Sequence, residues 1–478
     1  MSINVSSLDA DFATRASLST ARTYDSLAIK SLDDFIYGHA PYPVSCGRGL
    51  TIGSGTVIPE INFTLPPIDI NAGTWPEIRN QYQEMITKIC ERAGSLEVPG
   101  LLVEFETLPP MTVKPEWGAE ITQILADELR RVHDKYGLPN ALRLTPNDSR
   151  DHLRPPKMRS GFYWDGMVSL FNRASDAGAD LMAIESTGGK EICDEALMNA
   201  DLRRMVYALG VLAPRDMAFL WQEIVAACSR GGIVPSGDTA CGFANTAMVL
   251  AHEKMVPKVF AAVVRVASVP RGLVAYAMGA VGPSKDCAYE GPYMKAITGV
   301  PISMEGRSAA CAHLSAVGNI SQAVCDCWSN ESVQNVRLLS AIAPVVSLEQ
   351  LAYDCRLINT ASKTTIGAQR MRDWLVESDS ASDPQAYVLR PDVVLRLSRE
   401  MISETDAYRQ TRRGILATIA ELRRASGAGE LFLVPNEVRW LDRLWRQADS
   451  LPESESEFIE SMAEELVDAP YLPEEYGL

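Results

Sequence analysis

The strongest constraint on the fold is a repeated alternation of short apolar segments with longer amphipathic ones, beginning near residue 75 of the 478-residue chain. Gly100–Glu106, Asn140–Thr145 and Asp180–Glu185 are predicted strands, because each is short, apolar and bounded by turn residues. Apolar residues at helical spacing fill the intervals, as in Trp117–Tyr136 and Phe162–Ala177. Such an alternation predicts an α/β protein with parallel strands joined by crossover helices.

A closed barrel explains this alternation better than an open sheet. No Gly-x-Gly-x-x-Gly turn follows the first predicted strand, so the signature of a dinucleotide-binding open sheet is missing. The chain is also long enough for the strand and helix units of a barrel. We therefore predict a (β/α)8 TIM-type barrel with an N-terminal turn-rich extension and additional C-terminal helices.

Three parts of the chain are expected. Residues 1–75 form an arm and a turn-rich extension, residues 76–345 form the barrel core, and residues 346–478 form a mainly helical layer packed on the barrel. Beyond residue 298, apolar spacing predicts mostly helices, among them Ala309–Trp328 and Val333–Ile342.

The acidic residues are concentrated at the C-terminal end. The tail, 451–478, contains nine acidic residues and no basic residue. Its apolar residues recur at helical spacing: Phe458, Ile459, Met462 and Leu466. We interpret the tail as the solvated face of a final helix and not as a docking arm.

Charge and apolar content exclude several classes of protein. The net charge is −16 and no Lys/Arg cluster is present, so nucleic acid is not an expected partner. No apolar run reaches the ~18 residues that a bilayer requires, and the first residues lack the apolar core of a secretory signal. We therefore expect no membrane association and a cytoplasmic protein, whose 10 cysteines are thiols, thiolates or metal ligands and not disulfides.

Three side chains that can bind metals lie where predicted barrel strands end. Glu185 ends one strand, Cys241 follows the strand Ile233–Pro235, and Cys287 follows a further apolar stretch. Barrel enzymes place their active sites at the carboxyl ends of the strands. Two thiolates and a carboxylate bind Zn²⁺ well, and three protein ligands leave a fourth position for an exchangeable oxygen. The alternative is that the cysteines are small buried hydrophobic residues.

Six segments, spread over most of the chain, resemble the zinc subunit of methanol:corrinoid methyltransferases. They are Ser31–Pro41, Gly49–Gly55, Pro59–Pro66, Ile184–Glu191, Gly237–Asn245 and Asp286–Pro292. The resemblance extends from about Tyr24 to about Trp445. It implies a barrel enzyme that transfers the methyl group of methanol to cob(I)alamin.

The resemblance also implies the parts of the active site. One zinc ion per chain would be held by Glu185, Cys241 and Cys287 and would act as a Lewis acid on the methanol oxygen. Cobalamin would be supplied by a separate corrinoid protein, so we expect a homodimer or a hetero-oligomer with that protein. A nearby acid or base could handle the hydroxyl proton. The candidates by position are Asp238, Asp286, Glu104 and Glu106.

Two other functions are compatible with the sequence. The same fold and zinc chemistry could act on another small methyl donor, or the barrel could be a metal-free scaffold for a corrinoid protein. Cys325 and Cys327 look like a metal pair, but residues two apart in a predicted helix point to different faces, so we interpret them as core cysteines. We interpret His313, nearby, as a hydrogen-bonded interior histidine.

Overall fold

The computed structural model of the protein describes residues 22–65, 67–284, 287–334 and 336–478. The strands are β1 (His39–Cys46), β2 (Leu50–Ser54), β3 (Ile58–Thr64), β4 (Leu101–Glu106), β5 (Asn140–Thr145), β6 (Leu181–Ile184), β7 (Val234–Asp238), β8 (Ser303–Glu305) and β9 (Cys327–Val333). The α-helices are α1 (Trp75–Ser95), α2 (Pro109–Val113), α3 (Pro115–Tyr136), α4 (Phe162–Arg173), α5 (Lys190–Asn199), α6 (Leu202–Tyr207), α7 (Ala213–Gly231), α8 (Thr246–His252), α9 (Lys258–Ala267), α10 (Val269–Met278), α11 (Gly291–Thr298), α12 (Arg307–Ala312), α13 (Ala343–Ala361), α14 (Thr365–Ser380), α15 (Pro384–Tyr387), α16 (Pro391–Met401), α17 (Ala407–Ala428), α18 (Pro435–Asp449) and α19 (Glu455–Glu465). Most of the predicted N-terminal arm lies outside the described residues.

Among the described residues, seven strands form one parallel sheet in the order β7-β6-β5-β4-β3-β9-β8. The segment 281–284 joins the two ends of this order. Its first two backbone N–H groups donate to carbonyl oxygens of β7, and Ser284 pairs in parallel with Ile302, next to β8. The segment therefore acts as the eighth strand and closes the sheet. This confirms the predicted α/β class and the (β/α)8 barrel.

Helix α3 shows how the predicted signals produce the structure. It begins at Pro115, where a missing N–H is tolerated, and buries Ile121, Leu125 and Leu129 along one face. It ends at Gly137, whose φ of 66° lies in the left-handed region that favours glycine. The sequence predicted this helix and its end correctly.

The barrel extends beyond the expected limits of 76–345. Its first strand, β3, lies inside the segment 1–75 that we expected to be an extension. Its last helix, α13, packs on β3 and β9 and ends at Ala361. Pro59 and the inward-facing polar residues of β3 conceal a strand that buries Ile61 and Phe63. The first strand of the barrel is therefore part of the turn-rich segment.

The predicted helices Ala309–Trp328 and Val333–Ile342 are wrong. In the first range, the short helix α12 forms at the start and a 3-10 turn, Ile320–Val324, follows later. The last two residues of that range, Cys327 and Trp328, lie in strand β9. Successive residues of a strand face opposite sides, so Cys327 and Glu331, an even number of positions apart, share one face of β9. The inner face of a barrel strand near its carboxyl end is polar here, and a search for apolar spacing cannot detect such a strand.

A hairpin of β1 and β2 covers the N-terminal end of the barrel. Its apolar side chains pack against the first residues of the barrel strands in a separate core cluster. The cluster contains Val44, Cys46, Leu50, Ile52, Ile58, Leu102, Ala141, Leu181, Val234 and Cys327. Gly47 approaches β5 so closely that any Cβ atom there would collide with the Asn140 carbonyl oxygen. This end of the barrel is therefore closed by apolar contacts.

One helical stretch of the described chain, Lys258–Met278, is long and apolar enough to cross a membrane. It consists of α9 and α10, and 94 % of its most apolar window is buried inside the protein. These helices pack against α7 and α17, between the barrel and the C-terminal helices. The stretch is therefore packed as a core element.

The acidic tail is only partly what the sequence predicted. Helix α19 forms and buries two apolar residues of the predicted stripe. The residues after it are not merely solvated, because they bind the barrel. The Glu475 carboxylate accepts two backbone hydrogen bonds from the β5–α4 loop. The Tyr476 hydroxyl donates to Glu191 at 2.6 Å and accepts from the N–H of Gly189 at 2.9 Å. The C-terminus thus covers the loop that follows β6.

Candidate metal centre

Glu185 lies directly after β6, at the carboxyl end of the barrel strands. Its backbone pairs in parallel with that of Asn147 beyond β5, so the sheet continues through this residue. In the turn that follows, Thr187 donates both its N–H and its hydroxyl to Oδ2 of Asp148, each at 2.9 Å. These hydrogen bonds fix the start of the loop that carries Glu185.

A buried ion-pair network holds Asp148 in place. Arg150 donates to both oxygens of Asp148 and to both oxygens of Asp216, at 2.7–2.9 Å. Burial alone would raise the pKa of Asp148, but the charge of Arg150 and hydrogen bonds from Arg150 and Thr187 lower that pKa below its ordinary value. Asp148 is therefore ionised, and it accepts the Thr187 hydrogen bonds as a carboxylate.

Cys241 begins a π-helical turn, Cys241–Asn245, that leads into α8. The side-chain amide of Asn245 donates to the Cys241 sulfur at 3.4 Å. Directly before the turn, the N–H of Ala240 donates to the buried carboxyl group of Glu290 at 2.8 Å. Single π-helical turns are uncommon and are frequent at functional sites. The local structure therefore marks Cys241 as more than a packing residue.

Cys287 meets Cys241 across the mouth of the barrel. The structure brings their sulfur atoms into contact, with 5.6 Å between the Cα atoms, whereas the eight other cysteines of the described chain have no cysteine partner. The loops after β7 and after the segment 281–284 converge here, although the two residues are separated by 46 positions in sequence. Two sulfurs in contact are compatible with the expectation that these cysteines are thiolates or metal ligands.

The predicted ligands form one compact group. The sulfur of Cys287 lies 3.4 Å from Oε1 of Glu185, and the donor atoms of Glu185, Cys241 and Cys287 all lie within 4.8 Å of one another. Two sulfurs and a carboxylate oxygen are a donor set that suits Zn²⁺. Binding requires both cysteines as thiolates, so the pair must be reduced. In that form the three residues fit a metal ion.

Asp238, a candidate for handling the hydroxyl proton, is fully engaged in supporting the site. Its Oδ1 accepts from Arg271 at 2.9 Å and its Oδ2 accepts from the indole N–H of Trp221 at 3.2 Å. Arg271 also donates to the hydroxyl of Ser186, next to Glu185. All these groups are buried. Asp238 and Arg271 therefore provide a second set of buried contacts that fix the Glu185 loop.

The other proton-handling candidates lie along β4 or outside the described residues. Glu104 is buried and accepts from the Thr145 hydroxyl at 2.6 Å. Glu106 accepts from the side-chain amide of Asn62 at 3.5 Å. Asp286 lies outside the described residues. The role of these residues in proton handling stays a prediction.

A second cluster of titratable side chains at the mouth was not predicted. Glu305 ends β8, Glu331 lies in β9 and His313 follows α12, and their donor atoms lie within 4.8 Å of one another. His313 was expected to be an interior hydrogen-bonded histidine; it is hydrogen-bonded, but it stands between two carboxylates. A sequence signal exists, because Glu305 ends a strand before Gly306 much as Glu185 ends a strand before a glycine-containing turn.

Cys325 and Cys327 are free and buried in the core. Their interpretation as core cysteines is therefore confirmed. The helical argument used for it is wrong, since Cys327 is the first residue of β9 and packs against the hairpin at the other end of the barrel.

Comparison with known proteins gives one consistent result. Residues 21–477 match the family described as methanol-cobalamin methyltransferase B subunit, MtaB. The chain is 34 % identical over 463 residues to the methanol–corrinoid protein co-methyltransferase of Methanosarcina barkeri (strain Fusaro), which covers 96 % of this chain and 99 % of that protein. A chain in the crystal structure of the methanol:cobalamin methyltransferase complex MtaBC from Methanosarcina barkeri matches with a TM-score of 0.92 and 34 % identity, over 96 % of this chain and 100 % of that chain.

Proposed function

Because the chain belongs to the methanol-cobalamin methyltransferase B subunit family, as its sequence predicted, we propose that it transfers the methyl group of methanol to a corrinoid carried by a separate protein. We include in this proposal one Zn²⁺ per chain, held by Glu185, Cys241 and Cys287. The observation that supports the metal site is the convergence of their three donor atoms at the carboxyl end of the barrel.

The chemistry of methanol explains why a metal is needed. Hydroxide is a poor leaving group, so the C–O bond resists attack at carbon unless negative charge on the oxygen is stabilised. When bound, Zn²⁺ would supply that stabilisation as a Lewis acid. Glu185 and Cys241 are partly exposed whereas Cys287 is buried, so a small substrate can approach the ligand group from the mouth.

The task of the chain is to hold the three ligands in a fixed arrangement. Asp148 and Asp238 fix the Glu185 loop through Thr187 and Ser186, and each carboxylate is paired with a buried arginine. On the Cys241 side, Glu290 accepts from the backbone N–H that precedes the cysteine. Positioning of this kind means that little reorganisation is needed during the reaction.

The corrinoid is expected to reach the same face of the barrel. The Methanosarcina barkeri relative occurs in a complex named MtaBC, and we propose that this chain likewise acts with a corrinoid protein. The corrinoid of that partner would supply the nucleophile that takes the methyl group, so the partner would have to cover the mouth that carries Glu185, Cys241 and Cys287 during transfer. We also propose that the chain forms a homodimer or a hetero-oligomer with the corrinoid protein and that it is located in the cytoplasm.

Zinc analysis combined with methyl transfer tests this function. Protein purified under reducing conditions without chelator is expected to contain about one Zn²⁺ per chain. Mixed with the reduced corrinoid protein and methanol, it should methylate the cobalt in a single turnover. A zinc content near zero together with corrinoid binding but no transfer would favour the metal-free scaffold. Transfer from another small methyl donor but not from methanol would favour the second alternative.

A further inference from the structure

His313 stands between two carboxylates at the mouth of the barrel. Its Nδ1 lies 3.2 Å from Oε2 of Glu305, within hydrogen-bonding distance. Its Nε2 lies 3.9 Å from Oε2 of Glu331, close enough for an ion pair but too far for a hydrogen bond. Tyr289 donates its hydroxyl to the same Glu305 oxygen at 3.2 Å. The ring is therefore anchored through Nδ1, while Nε2 is directed to a carboxylate that it does not hydrogen-bond.

The surroundings favour the charged form of the ring. The hydrogen bond to Glu305 raises the pKa of His313 above its ordinary value, against the opposing effect of burial, and the charges of Glu305, Glu331 and Glu185 act in the same direction. These three carboxylates come from β8, β9 and the end of β6. The influence of Glu185 places the histidine within electrostatic range of the candidate metal centre. Its side chain is 30 % exposed, so solvent can reach it.

The reaction needs a proton. The electron pair of Co(I) forms the new Co–C bond, and the pair of the broken C–O bond leaves with the oxygen of methanol. Cobalt is thereby oxidised by two electrons and the methyl carbon is bound to it. The departing hydroxide must gain one proton to leave as water. The reaction therefore requires a proton donor near the mouth, because the departing hydroxide takes up one proton, whichever residue supplies it.

We propose that His313 supplies this proton from Nε2, with Glu305 and Glu331 as positioning residues. The imidazolium passes the proton to the departing oxygen and becomes neutral imidazole, and solvent at its exposed edge restores the charge. This inference rests on the proposed function, because it assigns a role within that reaction. It adds a residue that is not one of the three proposed metal ligands. His313 was also not among the proton-handling candidates predicted from sequence.

His313→Gln tests the inference, with His252→Gln as the matched control. His252 lies exposed at the end of α8. We expect His313→Gln to keep its zinc and its native circular dichroism but to lose about 10²-fold or more of the single-turnover methyl-transfer rate, as removal of a general acid does. Added imidazole should restore part of the rate. His252→Gln should equal the wild type and should not respond to imidazole.

The pH profile provides a readout that a merely structural role would not change. The wild-type rate should fall as pH rises through the pKa of His313, because the proton is then absent. Glu305→Gln removes the hydrogen-bonding carboxylate, so it should shift this fall to lower pH and leave the rate at low pH much less affected. This variant also keeps the inference testable if His313→Gln does not fold.

Several results would overturn the inference. The inference would be wrong if His313→Gln transferred methyl groups at the wild-type rate. It would also be wrong if His313→Gln were slow, were not rescued by imidazole and kept the pH profile of the wild type. Loss of a metal equivalent from His313→Gln would assign the cluster to a second cation site instead. Failure of the wild-type protein to methylate the corrinoid from methanol would contradict the proposed function itself, which keeps the two failures distinguishable.

Discussion

The two ends of the barrel are built from the same strands but differ in chemistry. At the N-terminal end, the first residues of the strands and the β1–β2 hairpin form a closed apolar cluster. At the carboxyl end, Glu185, Glu305 and Glu331 gather with Cys241, Cys287 and His313 around the mouth. Between the two ends lies a buried ion pair of Arg143 with Glu60 inside the barrel. Polarity therefore increases along the barrel axis from the hairpin to the mouth.

This difference separates stability from function. An apolar cluster closed by a hairpin contributes to folding through burial of apolar surface. Its residues do not have to hold metal-ligand atoms in exact positions, as those of the mouth do. The mouth crowds negative charge and reactive sulfur, which costs stability unless cations or buried arginines compensate it. Arg150 and Arg271 provide that compensation around the Glu185 loop. Mutations at the two ends should accordingly affect different measurements.

The largest effect is expected when a cysteine of the mouth is removed. Cys241→Ala or Cys287→Ala should lose most of the zinc and reduce methyl transfer on the order of 10³-fold, because the group that stabilises the developing negative charge is lost. Circular dichroism should remain native-like. Zinc analysis and single-turnover methylation of the corrinoid on the same samples provide the measurement.

The matched control is Cys327→Ala, in a strand of the same sheet but in the apolar cluster at the other end. It should keep its zinc and lose some stability. If Cys287→Ala retained full zinc and activity, another group would have to be the third ligand, and the mouth would not be the functional end that the comparison assumes.

At the closed end, a mutation is expected to lower stability strongly and to leave zinc content and activity unchanged. Leu50→Ala should lower the free energy of unfolding by about 2–5 kcal/mol, because Leu50 is buried among the first residues of the barrel strands and its removal leaves a cavity. Zinc per folded chain and the transfer rate should be unchanged. Urea unfolding followed by zinc analysis measures both.

Leu50→Met is the volume-conserving control and should cost less than about 1.5 kcal/mol. Loss of zinc from folded Leu50→Ala would show that the closed end also supports the ligand geometry. Stability and zinc binding could then no longer be assigned to different ends of the barrel.

A smaller effect is expected for Glu185, the proposed carboxylate ligand. Glu185→Gln keeps the size of the side chain and one oxygen donor but removes a charge, so zinc should be bound more weakly. Methyl transfer per bound zinc should fall on the order of 10²-fold, as for the loss of one preorganised electrostatic group. Single-turnover methylation normalised to zinc content is the measurement, and Glu253→Gln, at an exposed position, is the control. Wild-type rates per zinc would mean that Glu185 is structural.

What could be predicted from sequence follows the same division. Strands β4 and β5, in which apolar residues predominate, were identified. The ends of predicted strands also located Glu185 and Cys241. Strands β8 and β9 were missed because the mouth requires polar residues on their inner faces, which removes the apolar signal. The polarity of the candidate site thus concealed part of the barrel.

The support of the site could not be predicted because it depends on contacts between distant residues. Arg150 pairs with Asp216, which lies 66 positions away, and Arg271 pairs with Asp238, which lies 33 positions away. A single sequence contains no signal for such pairs. The family, by contrast, was predicted correctly, because its segments are long and span most of the chain.

The smallest effect is expected where the C-terminus touches the mouth. Burial raises the pKa of Glu191 to about 7, and the hydrogen bond from the Tyr476 hydroxyl opposes that rise. A carboxyl group with a raised pKa in the folded state contributes stability that is fully present below its unfolded pKa and is lost as pH rises through the folded pKa. Tyr476→Phe should raise the pKa of Glu191 further and cost about 1 kcal/mol of unfolding free energy. The cost should be greater above pH 7 than at pH 5, because a hydrogen bond to an ionised carboxylate is stronger than one to a neutral carboxyl.

The measurement is urea unfolding at both pH values, with Tyr471→Phe as the control. In the described part of the chain, the hydroxyl of Tyr471 lies 3.4 Å from the hydroxyl of Tyr207. Its removal should therefore cost less than that of the Tyr476 hydroxyl, and the cost should not depend on pH over this range. Because the hydroxyl of Tyr476 also accepts from the N–H of Gly189 in the loop after Glu185, loss of this hydroxyl should weaken zinc binding slightly as well.

Equal costs of Tyr476→Phe in unfolding free energy at the two pH values would show that Glu191 is not sensitive to this contact. The C-terminus would then be a passive cover of the mouth, and the pH dependence of stability at this end would have to come from other carboxylates.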